Sequence, residues 1–163
     1  MSKKKRKEEK IIKTNAMRYL DDLHIDYIPH HYETDITNGS ELARTFGIKP
    51  EETFKTLVTV SNDHEYIVFM IPVDEKLAMK KAAEAAGVKS VQMILQKDLF
   101  PKTGYVHGGC SPLGMKKQFR TFVDQSAADL ERIYFSGGKI GVQIEMDPED
   151  LKKLQIEPAN LTV

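Results

Sequence analysis

Residues 54–73 decide the fold, and they read FKTLVTVSNDHEYIVFMIPV. Both ends of this stretch are rich in β-branched and aromatic side chains, which favour extended backbone. The SNDH segment at 61–64 is typical of a turn, because short polar side chains bond the nearby backbone. The stretch therefore predicts a β-hairpin with strands at 54–60 and 66–73.

Helical and strand-like patterns flank the hairpin on both sides without a regular alternation. Helices are predicted over 9–23, from Ser40 as N-cap to Gly47, over 76–86 with a glycine stop at Gly87, over 96–100, and from 147–150 onward. Further strands are predicted at 27–32, where Pro29 favours a sheet edge, and at 90–94, 119–123, 132–135 and 140–145. This order favours an α+β fold in a single domain, with helices around a mixed β-sheet or barrel of about six to seven strands.

Composition and charge divide the chain into two parts. Its 163 residues are 40% hydrophobic and 29% charged, which suits one domain with a buried core. Basic and acidic residues number 24 each, but the first thirteen residues hold seven of the basic and two of the acidic ones. That segment is +5 and the remainder −5, which argues against a broad basic nucleic-acid surface on the body. We therefore expect a basic tail at 1–9 and one domain at 10–163.

The tail has two interpretations. Its KKKRK run at 3–7 is typical of a nuclear localisation signal or an RNA-binding arm, but a solvated segment that leads into the first helix is the favoured interpretation. No apolar stretch follows it, as a signal peptide would need, and no run approaches the ~18 apolar residues of a membrane span. Cys110 is the one cysteine and the histidines lack ligand spacing, so we expect a cytoplasmic protein without a metal.

Three stretches carry residues that suit chemistry. Lys55 alternates with the apolar residues of its strand, so it shares a face with Leu57 and Thr59, and it either snorkels to water or supplies a charge to a pocket. The glycines in GYVHGGCSPLG at 104–114 either let backbone N–H groups approach a substrate or form an ordinary turn. The SGG segment at 136–138 repeats both possibilities, since hairpin turns use the same residues.

The ordered segments FKTL at 54–57, KKAA at 80–83, TGY at 103–105, GGCSPLG at 108–114 and SGGK at 136–139 resemble one family. It is the YbaK/EbsC family of trans-editing deacylases, which is related to the insertion domain of prolyl-tRNA synthetase. The resemblance covers roughly residues 10 to 160, with similar spacing between segments. It implies hydrolysis of the ester between a wrong amino acid and tRNA, chiefly cysteine on tRNA(Pro).

The resemblance also implies roles for individual residues. Lys55 would hold a terminal phosphate or the ester, and the N–H groups of Gly108 and Gly109 would stabilise charge at the reacting carbonyl. The implied substrate-binding residues are Tyr32, Thr56, Ser111, Pro112, Ser136, Gly137 and Gly138. Gln143 stands where many members have an aspartate, and Asn38 where members can have a phenylalanine. Both departures bear on amino-acid specificity.

Two hypotheses for function follow. The first is a deacylase that clears Cys-tRNA(Pro) in trans without a cofactor, and reads the CCA end with help from prolyl-tRNA synthetase or from the basic tail. The nucleophile would be the thiol of the substrate, because the sequence shows no identifiable Ser-His-Asp or Cys-His set. Cys110 is better explained as a small residue in a tight loop than as a nucleophile. The second is a catalytically silent adaptor that binds a tRNA end or a nucleotide.

Overall fold

The structure is a computed structural model, and it describes residues 13–163. The basic tail predicted at 1–9 and the first part of the helix predicted at 9–23 lie outside the described residues. Within 13–163, no helix has the length and apolar character that crossing a membrane requires.

The hairpin predicted from residues 54–73 is the centre of the fold. Strand β2 spans Thr53–Ser61, strand β3 spans Tyr66–Pro72, and the two pair antiparallel. The turn closes because the hydroxyl oxygen of Ser61 accepts hydrogen bonds from the backbone N–H groups two and four residues later, at 3.2 and 3.1 Å. Both strands and the turn are confirmed, to within one residue at each end.

Six further strands extend the hairpin into one sheet in the described part of the chain. They are β1 (Ile28–His31), β4 (Val91–Met93), β5 (Arg120–Asp124), β6 (Ile133–Ser136), β7 (Val142–Met146) and β8 (Glu157–Ala159). The order is β1-β7-β6-β2-β3-β5-β8, with β4 beside β2, and the pairs β2–β6, β3–β5 and β5–β8 are parallel. The α+β fold is confirmed as a mixed sheet whose outer strands are β1 and β8.

The sequence missed one strand. Residues 13–163 hold eight strands, against an expected number of about six to seven. The extra one is β8, whose sequence EPA is short and contains a proline, so it carries no strand signal of its own. It forms because β5 offers it a parallel partner. Pro29 correctly indicated that β1 lies at an edge.

Helices occur where the sequence predicted them. The α-helices in the described residues are α1 (Asn15–Asp22), α2 (Gly39–Thr45), α3 (Met79–Ala86) and α4 (Gln96–Thr103), and a 3₁₀ helix spans Pro148–Leu154. Asp147 caps the 3₁₀ helix and Gly87 ends α3 in the left-handed region, both as predicted. Helix α4 runs three residues beyond its predicted end and contains Pro101.

One predicted N-terminus is wrong, and another lies outside the described residues. Helix α1 begins at residue 15, where the hydroxyl of Thr14 accepts from the N–H of Met17 at 3.2 Å, while the predicted start at 9 is not among the residues that the structure describes. Asn38, not Ser40, caps α2 by accepting from the N–H of Glu41 at 2.9 Å. Ser40 instead donates its hydroxyl to a backbone carbonyl of the segment after β3.

Helix α3 also starts late, at residue 79 rather than 76. The residues before it are held extended by the C-terminal segment: Leu77 bridges Thr162, and the N–H of Ala78 donates to the carbonyl of Leu161 at 2.7 Å. A tertiary contact therefore overrides the helix propensity of residues 76–78.

Both faces of the sheet are buried. One face packs under α1 through Phe54, Phe135 and Ile144. Next to this cluster, Val58 and its neighbours lie under α4 and the glycine loop at 104–114. On the other face, the alternate residues of β3 pack against α3 and the C-terminal segment. Residues 53–61 thus present successive side chains to two different layers, which places Lys55 and Thr56 on opposite faces.

One edge of β2 has a gap that positions the site described below. Strand β6 pairs only with residues 53–54 of that edge, and β4 only with residues 59–61. Between them the carbonyl of Val58 accepts from the N–H of Ile94 at 3.0 Å. Peptide groups alternate between the two edges of a strand, so those of Thr56 point into the gap. No strand in the described residues covers them.

A pair of glycines tests how tightly α1 docks. Gly114 and Gly47 both have left-handed backbones, with φ of +71° and +72°, but a Cβ at Gly114 would lie 2.6 Å from the backbone of Asn15, whereas at Gly47 it would meet nothing within 4 Å. We expect Gly47→Ala to lower the free energy of unfolding by about 1 kcal/mol. Gly114→Ala should cost a further ~2 kcal/mol from the backbone clash. Urea unfolding measures both, and equal losses would contradict the tight docking.

Candidate functional site

A cavity of about 500 Å³ lies at the gap in the β2 edge. It is lined by residues from four segments, at 36–39, 53–58, 93–96 and 107–110, together with Ser136 of β6 and Gln143 of β7. Its volume is in the range of small-ligand sites. Of the residues to which the sequence assigned a catalytic or substrate-binding role, the cavity brings together Lys55, Thr56, Gly108 and Ser136.

Lys55 is the cation of this cavity. Burial lowers the pKa of its ammonium, whereas the negative charges of Asp74 and Glu75 raise it. Asp74 is itself held by Arg44 through two hydrogen bonds of 3.1 and 2.7 Å. Within residues 13–163, no carboxylate lies within the 4.0 Å of a salt bridge to Lys55. A partly dehydrated ammonium without an ion pair is suited to bind an anion.

Gly108 fits the cavity wall because a larger residue would not. Its φ is +84°, and a Cβ there would lie 2.6 Å from the Cβ of Thr37. The absence of a side chain thus lets the loop at 107–110 touch the loop at 36–38. In the described residues the N–H of Gly108 has no acceptor. That N–H is available to a ligand.

Gly109 does not supply the second free N–H that the family resemblance implied. Its N–H donates to the carbonyl of Val106 at 3.0 Å, and its α-carbon packs against the backbone of Lys139 and Ile140. For Gly109, the ordinary turn is therefore the better interpretation. Two successive residues of the loop therefore differ: the N–H of Gly108 has no acceptor in the described residues, and that of Gly109 holds the loop.

Ser111 and Pro112 lie under the cavity rather than in its wall. Ser111 is fully buried, and its hydroxyl oxygen accepts from the N–H of Leu113 at 3.3 Å. Leu113 is 1% exposed and belongs to the core under α1. These residues therefore turn the chain from the cavity wall into the core.

The SGG segment at 136–138 is divided in the same way. Ser136 lines the cavity, while the N–H of Gly137 donates to the carbonyl of Val142 at 2.8 Å and closes the β6–β7 hairpin. At Gly138, with φ +102°, a Cβ would lie 2.9 Å from the ring of Tyr105. The two glycines have structural roles, and of the three residues Ser136 faces the cavity.

Tyr32 packs outside the residues that line the cavity. Its ring centroid lies 4.4 Å from that of Phe46, and its N–H donates to the carbonyl of Gly141 at 2.7 Å. Burial raises the pKa of the Tyr32 hydroxyl. Its placement fits plain packing at the end of β1.

Two oxygen atoms in the cavity wall lack partners. The hydroxyl of Thr56 and the side-chain oxygen of Gln143 are buried and have no hydrogen-bond partner in the described residues. Gln143 is 7% exposed. Buried polar atoms of this kind cost free energy unless they are satisfied, and a ligand would satisfy them only by donating a hydrogen bond to Gln143 and by exchanging one with the hydroxyl of Thr56.

Asn38 and Gln143, which the sequence marked as departures from the family, both line the cavity. The segment at 93–96 carried no chemical signal in the sequence. It reaches the cavity because β4 pairs with the end of β2 and directs the following residues across the gap. No group of three His, Cys, Asp or Glu in the described residues could hold a metal ion.

Cys110 is 9% exposed and lines the cavity. Burial raises the pKa of its thiol to about 12. A neutral thiol is a poor nucleophile, which favours the interpretation of Cys110 as a small residue in a tight loop.

Comparisons with known proteins show the family of the chain. Residues 33–154 match the family model described as the aminoacyl-tRNA editing domain. EbsC of Enterococcus faecalis, whose name proposes a Cys-tRNA(Pro)/Cys-tRNA(Cys) deacylase, is 42% identical over 94% of this chain and 93% of its own length. The proline–tRNA ligase of Brachyspira hyodysenteriae is 24% identical over 93% of this chain and 24% of the ligase.

A solved structure agrees at the level of the fold. A protein described as a proposed trans-editing enzyme for prolyl tRNA synthetase superposes with a TM-score of 0.77 at 19% identity, over 94% of this chain and 99% of that one.

The state of Cys110 can be measured directly, since the chain has one cysteine. At about pH 8, a thiol whose pKa is raised to about 12 has roughly a thousandfold less thiolate than one of ordinary pKa. We therefore expect a disulfide reagent such as Ellman's reagent to react at least ~100-fold more slowly with the native protein than with the protein in concentrated guanidinium. Equal rates would mean that the thiol is accessible and ionised.

Proposed function

Because the chain belongs to the family of aminoacyl-tRNA editing domains, we propose that it is a hydrolase that removes cysteine from Cys-tRNA(Pro) in trans. The identity to EbsC over nearly the whole of both chains supports this substrate. The substrate also assigns the protein to the cytoplasm. An editing step is needed because cysteine and proline are similar in size, and an apolar pocket separates such substrates by only about 1 to 3 kcal/mol.

The single observation that carries the proposal is the unpaired ammonium of Lys55 in the cavity at the β2 gap. An aminoacylated terminal adenosine offers two anionic groups to it: the phosphate of that nucleotide, and the carbonyl oxygen that becomes negative as the ester is attacked. A charge-assisted hydrogen bond to a developing anion in a partly buried site stabilises the transition state strongly. Gly108, whose N–H has no acceptor in the described residues, also lines the cavity and is a further candidate donor.

The substrate supplies the nucleophile in this proposal. The cysteine thiol loses its proton and its sulfur bonds to the carbonyl carbon of the same residue, the ester C–O bond breaks, and the ribose hydroxyl takes up a proton. Water then opens the resulting cyclic thioester to free cysteine. The chain needs only to hold the thiol against the carbonyl, because an intramolecular nucleophile has a large effective molarity. The raised pKa of Cys110 is consistent with a site that has no thiolate of its own.

Recognition of tRNA is shared with a partner in this proposal. The cavity is sized for the aminoacylated end, and the sequence from residue 14 onward has a net charge of −5, so the body offers little attraction for a whole tRNA. The similarity to part of a proline–tRNA ligase supports prolyl-tRNA synthetase as the protein that selects the tRNA. The basic tail is the other candidate.

Substitution of Lys55 tests the proposal. We expect Lys55→Ala to lower kcat/KM for Cys-tRNA(Pro) by about 10²- to 10³-fold, because the removed charge acts mainly on the transition state. The matched control is Lys80→Ala, since Lys80 is an exposed lysine of α3 that does not line the cavity. It should retain full activity and the same melting temperature.

The same hydrolysis assay distinguishes the deacylase from the silent adaptor. Multiple turnovers at catalytic enzyme concentration would exclude a silent adaptor. Binding of Cys-tRNA(Pro) without ester loss would favour the adaptor, and near wild-type turnover of a folded Lys55→Ala protein would remove the assignment of Lys55.

The source of the nucleophile makes a separate prediction. We expect Ser-tRNA(Pro) to be cleaved at least ~100-fold more slowly than Cys-tRNA(Pro), because a thiol ionises far more readily than an alcohol. Single-turnover rates on the two esters measure this. Equal rates would indicate an activated water instead, and a covalent aminoacyl adduct trapped on Cys110 would indicate an enzyme nucleophile.

A further inference from the structure

A patch of exposed apolar side chains lies at the rim of the cavity. It consists of Met93, Leu95, Phe100 and Val106, which are between 41% and 61% exposed, and we call it the rim patch. Met93 itself lines the cavity, and each of the other three is next in sequence to a residue that lines it. Large apolar groups left exposed beside a cavity indicate a binding surface, because packing within the chain leaves them uncovered.

Lysines are interleaved with the rim patch. The ammonium of Lys116 lies 5.3 Å from the ring centroid of Phe100, and Lys97 precedes Phe100 by three residues on α4, which places both on one helix face. Residues 93–118 contain four lysines and one acidic residue, whereas the sequence from residue 14 onward is −5 overall. The rim patch is therefore part of a positive region on an acidic body.

We infer that the rim patch binds the single-stranded nucleotides that precede the terminal adenosine of tRNA, with a base stacked on Phe100 and a phosphate at Lys116. The inference rests on the proposed function, which puts the aminoacylated adenosine in the cavity. Met93 belongs to both the cavity lining and the rim patch, so a nucleotide chain that leaves the cavity beside Met93 passes directly onto the patch. Exposed aromatic rings beside ammonium groups are the usual means of binding unpaired nucleotides without reading their sequence.

The dimensions suit a short single strand better than a duplex. Helix α4 has eight residues and is about 12 Å long, which matches a few nucleotides at ~3.4 Å each. A base can lie flat on Phe100 only if it is unpaired. Lys116 and Lys97 also give the patch a charge opposite to that of the phosphates, which an apolar protein partner would not require.

Two substrates separate this surface from the catalytic cavity. Cys-tRNA(Pro) carries the preceding nucleotides, and cysteinyl-adenosine lacks them. We expect Phe100→Ala to lower the ratio of kcat/KM for the tRNA to that for cysteinyl-adenosine by about tenfold or more, because stacking of one base is lost. Leu23→Ala, at a side chain 46% exposed and outside the cavity, is the matched control and should leave the ratio unchanged.

A binding measurement decides the inference even if hydrolysis fails. Fluorescence anisotropy of a labelled CCA trinucleotide should show about tenfold weaker binding to Phe100→Ala than to the wild-type chain. Lys116→Gln should reduce the slope of log K against log salt by about 0.7, the share of one phosphate on a single strand. Lys89→Gln, at an exposed lysine outside the rim patch, should leave the slope unchanged.

The outcomes are distinguishable. In one outcome, the wild-type chain hydrolyses both substrates while Phe100→Ala shows the same kcat/KM ratio and the same trinucleotide affinity as the wild type. That result overturns the rim patch and leaves the proposed function in place. Absence of wild-type hydrolysis overturns the proposed function, and the trinucleotide affinities then decide the patch alone. Loss of stimulation by added prolyl-tRNA synthetase in Phe100→Ala, with trinucleotide affinity intact, makes the patch a protein-docking surface and overturns the inference.

Discussion

The gap in the hydrogen bonding of β2 is the constraint on which the site depends. A strand that is paired along both edges has no backbone groups to offer and no opening beside it. Here one edge is shared between β6 at the start of β2 and β4 at its end, and the residues between them border a cavity. That opening is the reason that Lys55 lines a cavity and that Gly108 packs against Thr37 at its wall.

The cavity combines one unpaired cation with neutral polar atoms that also lack partners. Burial lowers the pKa of Lys55, and the Arg44–Asp74 pair keeps the nearby carboxylate engaged. Gln143, which also lines the cavity, contributes an uncharged amide whose side-chain oxygen has no hydrogen-bond partner in the described residues. An anionic ligand would pair with the ammonium, whereas the side-chain oxygen of Gln143 accepts hydrogen bonds and would need a donor from the ligand.

The sequence predicted the elements well and the individual roles unevenly, for physical reasons. The hairpin at 54–73 was predictable because its strand and turn propensities are local. Helix α3 began late because the C-terminal segment holds Leu77, a contact between residues far apart in sequence. Within the glycine loop, Gly108 and Gly109 look alike in sequence, and only the path of the chain decides that one N–H is free and the other closes a turn. The segment at 93–96 was missed because strand pairing, not composition, brings it to the cavity.

The two outer strands have a consequence for how molecules of this protein meet one another. An unpaired sheet edge is a template for the strands of a neighbour, and growth along such edges leads to fibrils. Both outer strands contain a proline, Pro29 in β1 and Pro158 in β8, which removes an N–H from each edge. In the described residues two shorter stretches are also unpaired, the outer side of β4 and the gap in β2, and the gap borders the cavity. The two ends of the sheet therefore make poor templates for self-association, while the unpaired backbone of β2 lies beside the cavity.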